Sequence, residues 1–267
     1  MAATVEARTE RTMQDGAIAS SQRHMIDPQE WEARVDLAAC YRLVALHGMD
    51  DIVYTHISAR VPGSKDHFLI NRFGTMFEEI TASSLVRIDL DGKVIGSDGA
   101  HVNEAGFTVH SAIHAARPDV HCVIHTHTRA GMALSTLRQG LLPLCQKSML
   151  FQNRLAYHDF EGIAFNLGER ERLASNLGRH KAMVLRNHGL VTCGEDCAEA
   201  FSLMYQLDLA CQVQMDVLAA NAAFGMPTAE VAEKAASQLE SYPLKPLDLE
   251  WPALLRKLDR LDPGFRD

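Results

Sequence analysis

Apolar and polar residues alternate along Asp119–His127. Val120, Cys122 and Ile124 fall on one side, and His121, Val123, His125 and His127 fall on the other, because side chains in a strand alternate with a period of two. The segment reads as a buried strand ending in two histidines that project the same way. A second apolar run, Lys181–Arg186, stops at Asn187-His188-Gly189 and reads as the strand carrying His188. Helical spacing dominates from Pro28 to His47, where Trp31, Val35, Leu37, Ala38, Tyr41, Leu43 and Val44 form the apolar stripe. Asp27 suits the N-cap, Pro28 the first helical position and Gly48 the stop.

The block that follows reads as antiparallel strands. Ile52–Arg60 alternates loosely, Val61-Pro62-Gly63-Ser64 is a turn, and Phe68–Asn71 is a short strand ending before Gly74. Leu85–Leu90, the Asp91-Gly92 turn and Lys93–Ile95 make a hairpin. Helices are expected at about Glu104–Ala116, Thr128–Leu137, Glu169–Gly178 and Asp196–Ala222. Short strands and loops fill 141–165, and Ala229–Leu239 and Trp251–Leu261 are helices joined by a Pro-rich linker. Helices alternate with strands, yet several strands are joined by tight hairpins. That predicts one α/β domain whose sheet holds many antiparallel pairs with helices on both faces. Residues 1–25 are polar and aperiodic and read as a disordered arm; 26–225 form the domain and 226–267 a helical tail.

Composition narrows the function classes. The 267 residues are 47% hydrophobic, enough for a sizeable core. A net charge of −8 with no basic stripe argues against a nucleic-acid partner. No apolar run approaches the ~18 residues of a membrane span, and the first residues lack a secretory apolar core. A cytoplasmic protein is expected. The six cysteines are scattered through apolar runs and fit a reducing compartment. Cys193 and Cys197 have ligand-like spacing, but no second pair accompanies them, so a structural zinc there is not expected.

Two imidazoles on one rigid strand face can share a metal ion. His125 and His127 are such a pair, and His188 is the best third ligand. Three neutral imidazoles with an open fourth position is the usual plan of a catalytic transition-metal site. The competing reading is three ordinary core histidines. His110 and His114 are spaced i, i+4, which also suits a metal, but they read as packed or hydrogen-bonded helix residues.

The order of features resembles the class II aldolase/adducin family, closest to its adducin-like branch. The carrying segments are Tyr54-Thr55-His56-Ile57-Ser58-Ala59-Arg60-Val61-Pro62-Gly63, Glu79–Val86, Asn103–Phe107, His110–Asp119, His125-Thr126-His127 and Leu185–Leu190, within about residues 30–222. The resemblance implies a three-layer α/β/α sandwich around a largely antiparallel sheet. It also implies a homotetramer with active sites between subunits. Its aldolases hold the metal with the histidines matching His125, His127 and His188, add a Glu as acid/base, and cleave a C–C bond by polarising a carbonyl.

Departures from that pattern bear on chemistry. Counted without gaps from His125, the aldolase Glu falls on Gly106, and the nearest carboxylate is Glu104, which could reach the metal or simply favour the helix dipole. The phosphate-binding pairs match Thr55-His56, Phe73-Gly74 and the region of 102–105, where only Gly74 is retained. A bulky Phe73 fills space that small donors need around an oxyanion, so a sugar phosphate is not the expected substrate. Arg72, His56 or Lys147 could instead meet a carboxylate. Lys147 stands where the aldolases have a Tyr from the neighbouring subunit, and Tyr157 is either another proton donor or an ordinary half-buried tyrosine.

The expected function is therefore a divalent-metal lyase, retro-aldol or decarboxylating, on a non-phosphorylated hydroxy or keto acid. Zinc comes first among the metals, with manganese, iron or cobalt also suited to imidazole. The alternatives are an Fe(II)-dependent oxygenase on the same ligands and a non-catalytic adducin-like interaction protein.

Overall fold

The computed structural model describes residues 26–96, 100–163 and 167–267, leaving aside the side chains of residues 104, 105 and 167. The arm expected over residues 1–25 lies outside the described residues. Helix α1 (Pro28–Leu46) begins where predicted, with the Asp27 carboxylate accepting from the amides of Gln29 and Glu30. Strands β1 (His56–Arg60), β2 (His67–Ile70), β3 (Val86–Asp89) and β4 (Val94–Ile95) follow, then α2 (Glu104–Ala116), β5 (Cys122–Thr126), α3 (Arg129–Ser135) and α4 (Gln146–Met149). Next come β6 (Leu155–His158), α5 (Arg170–Leu177), β7 (Ala182–Leu185), β8 (Gly189–Gly194), and helices α6 (Cys197–Ala219), α7 (Ala229–Glu240) and α8 (Glu250–Leu261).

The strands form a single eight-stranded sheet in the order β4-β3-β2-β1-β5-β8-β7-β6. Every pairing is antiparallel except β6 with β7, which α5 connects. The three-layer, largely antiparallel expectation holds. Ile57, Leu69, Cys122, Ile124, Val184 and Leu190 pack on one face against α1, α6 and α8. Val123, Met183, Leu185 and Val191 pack on the other against α2 and α5. Cys193 and Cys197 belong to opposite faces and remain free thiols.

Two elements differ from the sequence reading. The strand expected from Ile52 begins only at His56, because Ile52 takes φ +52° and residues 52–54 turn. The run after His188 is a full strand, β8, hairpinned to β7. The turn residues Arg186-Asn187-His188-Gly189 between two apolar runs are a hairpin signature, and Asn187 at φ +57° is the residue type that tolerates that geometry.

One buried side chain fixes the sheet where β1 begins and β2 ends. The Tyr41 hydroxyl accepts from the amides of Ile57 (2.8 Å) and Asn71 (3.2 Å) and donates to Asn71 Oδ1 (2.8 Å). The C-terminal helices dock on the core: Trp251, Leu258 and Phe265 are buried in it, and Trp251 Nε1 donates to Asp36 Oδ1 at 3.1 Å. Among the described residues, no helix is long and apolar enough to cross a membrane.

Candidate metal centre

The three predicted histidines meet. His125 is on β5, His127 lies one residue beyond that strand, and His188 closes the β7–β8 turn. One ring nitrogen from each falls within 4.8 Å of the others. His127 Nε2 is 2.9 Å from His125 Nε2 and 2.9 Å from His188 Nε2. The approach depends on Gly189, where a Cβ would stand 2.4 Å from the Thr126 carbonyl oxygen and 3.1 Å from His127 Cδ2. Glycine is the residue that permits so close a contact between backbone and neighbour.

The partners of the remaining ring nitrogens decide what the centre is for. His125 Nδ1 faces the Leu190 carbonyl at 3.0 Å, and His127 Nδ1 faces Asp51 Oδ2 at 2.9 Å. A carbonyl and a carboxylate only accept, so each Nδ1 carries the proton and each Nε2 presents a lone pair. In that tautomer the Nε2 atoms of His125 and His127 present lone pairs to each other across 2.9 Å, and a cation between them would accept both. The Nδ1 contacts are of the kind that usually support metal-ligating histidines. The donor set therefore fits a divalent metal.

Burial favours the neutral, ligating form of His125 and His188. It pushes His125 well below the ordinary imidazole range, helped by His188 and His127. Burial also takes His188 down to about 4, with His127 adding to the effect. The centre opens to solvent on one side: His125 is buried, whereas His127 and His188 are half-buried. A shallow cleft lined by Phe160, Arg186, Glu161 and His158 adjoins His188. There the buried His158 bonds Glu169 Oε1 (3.1 Å) and Asn176 Oδ1 (2.7 Å).

Other candidates lie at varied distances from this chemistry. His56 opens β1 opposite His125 in register. Arg72 and Gly74 sit in the turn after β2, at the same end of the sheet, with Arg72 exposed. Glu104 is the first residue of α2, and its side chain lies outside the described residues. Lys147 bonds Gln206 of α6 at 3.3 Å. The Tyr157 hydroxyl accepts from the Leu141 amide at 2.9 Å, while its ring carries the Arg186 guanidinium at 4.3 Å. Neither Lys147 nor Tyr157 contacts the three imidazoles, and Tyr157 acts as a structural latch for the Gly140–Leu141 turn. His110 and His114 are packed helix residues as expected, both bonded to Ser58 Oγ (2.7 and 2.8 Å).

Asp51 is a member of the candidate site that the sequence did not disclose. It lies 76 positions from His127 in a loop with no motif around it, so only the folded chain reveals the pair.

Comparison with known proteins agrees with the geometry. The profile described as Class II Aldolase and Adducin N-terminal domain matches residues 35–215. A Caulobacter vibrioides protein provisionally named as a class 2 aldolase is 49% identical over 257 residues, covering 96% of this chain and 100% of its own. Rat alpha-adducin is 45% identical over 196 residues, which span 72% of this chain but 26% of the adducin. Among solved structures, an aldolase II superfamily protein from Pseudomonas syringae superposes with a TM-score of 0.87 at 48% identity, covering 92% of this chain and 99% of that one. The L-fuculose 1-phosphate aldolase of Glaciozyma antarctica superposes with a TM-score of 0.78 at 30% identity, covering 89% and 93%.

Proposed function

The chain belongs to the class II aldolase/adducin family, and from that premise we propose that it is a divalent-metal-dependent carbon–carbon lyase acting on a non-phosphorylated hydroxy or keto acid. The observation that carries the reading is the convergence of three Nε2 lone pairs, two of them fixed by acceptors behind the rings. His125, His127 and His188 would hold the ion, with zinc first and manganese, iron or cobalt also compatible with imidazole donors. A cation bound there supplies Lewis-acid polarisation of a carbonyl or carboxylate next to the breaking bond.

The chain's own residues do the rest. Asp51 and the Leu190 carbonyl hold two ligand rings in the tautomer that ligates. Arg72, exposed at the same end of the sheet, would meet a substrate carboxylate with a forked donor. Glu104, at the start of α2, is the candidate proton acceptor. Lys147 would serve a neighbouring subunit's site in a homotetramer, since it contacts none of its own three imidazoles. A sugar phosphate, the substrate class of the Glaciozyma enzyme, is disfavoured because the buried His56 imidazole and the exposed Phe73 stand at the matching pocket positions. A cytoplasmic location goes with this reading.

Elemental analysis of the purified protein, beside a turnover screen of keto and aromatic acids with and without air, tests the proposal. His188→Ala should remove metal and turnover together, and unchanged turnover would refute the metal role. Turnover that requires O₂ would shift the reading to an Fe(II) oxygenase on the same ligands. The likeness to alpha-adducin, over 26% of that protein, fits a non-catalytic reading only weakly; protein that neither contains metal nor gains activity on adding it would establish that reading instead.

A further inference from the structure

The three imidazoles differ in what stands behind them. His125 Nδ1 faces the Leu190 carbonyl and His127 Nδ1 faces Asp51 Oδ2. His188 meets His127 through Nε2 at 2.9 Å, and its Nδ1 has no hydrogen-bond partner among the described residues. An imidazole that ligates through Nε2 carries its proton on Nδ1, and that N–H is almost always given to a carboxylate, a carbonyl or a water. For His188 the remaining choice is a water.

His188 lines a small cavity at the end of the sheet, walled by the ends of β6 and β7 and by Val109 of α2. Its volume is about 10 Å³, the room that one water molecule needs. Glu169 and His158 line the same cavity. Glu169 is 7% exposed. Its Oε1 is held by His158 Nε2 at 3.1 Å, while Oε2 has no hydrogen-bond partner among the described residues. The other two acids of the wall, Asp159 and Glu161, are exposed to solvent. Glu161 is also clasped by Arg172, whose Nε donates to Oε1 at 2.7 Å and whose Nη2 donates to Oε2. A buried carboxylate oxygen left unpaired is costly, and the cavity is where Glu169 Oε2 meets a partner.

We propose that Glu169 is a positioning residue for the metal centre. One ordered water in the cavity accepts from the Nδ1–H of His188 and donates to Glu169 Oε2. The third ligand is then backed by a carboxylate, as His127 is by Asp51, with a water interposed. A bridging water is nearly as good as a direct hydrogen bond, and it fixes the same tautomer. The buried His158–Glu169 pair beside the ligand turn thereby acquires a task, since His158 keeps the carboxylate at the cavity wall. The proposal rests on the metal-centre reading above and adds to it the group that holds the third ligand in place.

Cobalt(II) tests this without knowledge of the substrate, because its visible bands report uptake and competition with a chelator gives the affinity. Glu169→Gln keeps the side chain's shape and an oxygen for His158, but turns an amide N–H towards the water. It should bind cobalt ~10-fold more weakly, the lower end of what a lost outer support costs. Its cobalt bands should shift, and the denaturation midpoint of its metal-free form should not. Val109→Ile adds a methyl group to the cavity wall and should weaken cobalt similarly by displacing the water; combined with Glu169→Gln it should cost nothing further. Glu161→Gln should bind cobalt as the wild type does. Asp51→Ala and Glu169→Gln act on different ligands, so their losses should multiply. Wild-type affinity in Glu169→Gln, or a loss there that only follows a lowered midpoint of the metal-free protein, would overturn the proposal while leaving the metal centre intact. Failure of the wild type to take up cobalt would instead overturn the metal reading and this proposal with it. The glutamine variants at 169 and 161 decide the matter if Val109→Ile does not fold.

Discussion

The two faces of the central sheet are built from the same strands and do opposite things. On one, Ile57, Cys122, Ile124 and Leu190 pack against α1 and α6 as continuous apolar core. On the other, His56 and Ser58 lie under His110 and His114 of α2, with His125 beside His56. The apolar face needs nothing but burial to be stable. The histidine face carries polar atoms with no partner among the described residues, on His56, His110 and His114. Such groups lower stability unless something is gained elsewhere. The difference teaches that the histidines are held by the fold, which the apolar face and, farther along the second face, Val123, Met183, Leu185 and Val191 hold together.

That contrast can be broken by substitution. Ile124→Ala, on the apolar face, should lower stability by about 2–5 kcal/mol, the range for large-to-small core changes. Chemical denaturation measures it, and metal stoichiometry in the folded fraction should stay unchanged. Asp51→Ala, behind the histidine face, should do the reverse. It removes an outer support and should weaken metal affinity ~10–100-fold, read by competition with a chelator, with little change in the denaturation midpoint of metal-free protein.

Acid should act on the histidine face through its buried rings. Burial takes His114 down to about 3 and holds His110 well below its ordinary value. Both are neutral when folded, whereas unfolded imidazoles protonate below about pH 6.5. The unfolded state then binds more protons, so stability is full above pH 6.5 and falls as pH drops towards 3. The slope is about 1.4 kcal/mol per pH unit for each such group. Denaturation midpoints of metal-free protein between pH 7 and 4 test this, and His114→Leu should make the loss shallower by about one proton. The smallest effect concerns the loop that holds Asp51. Ile52 is β-branched and exposed at φ +52°, a conformation that costs a branched residue about 1–2 kcal/mol. Ile52→Gly returns part of this to unfolded-chain entropy, so a gain of roughly 0.5 kcal/mol is expected. A loss of stability there would show that the Ile52 side chain has a packing role.

Much of this was legible beforehand. The period-two pattern at Asp119–His127 marks a strand with both histidines on one side; β5 carries His125, and His127 follows one residue beyond it, close enough for the two rings to meet. Asp27-Pro28 marked the start of α1 because a cap and a preset φ act locally. The strand β8 was missed although its turn residues were visible, because the run after Gly189 is short and buried on both faces and so shows no alternation. Asp51 was beyond reach for a different reason, since nothing local joins it to His127.

What the sequence determined by itself was whatever depends on neighbours along the chain: the helices, most strands, the hairpins, and the identity of three residues able to ligate. What the tertiary structure decided was which distant groups share a volume. Asp51 behind His127, Leu190 behind His125, and the cavity shared by His188 and Glu169 are all of that kind. The physical reason is that hydrogen bonding and excluded volume act over a few ångströms of space, whatever the separation in sequence, and only the folded sheet brings those groups within that range.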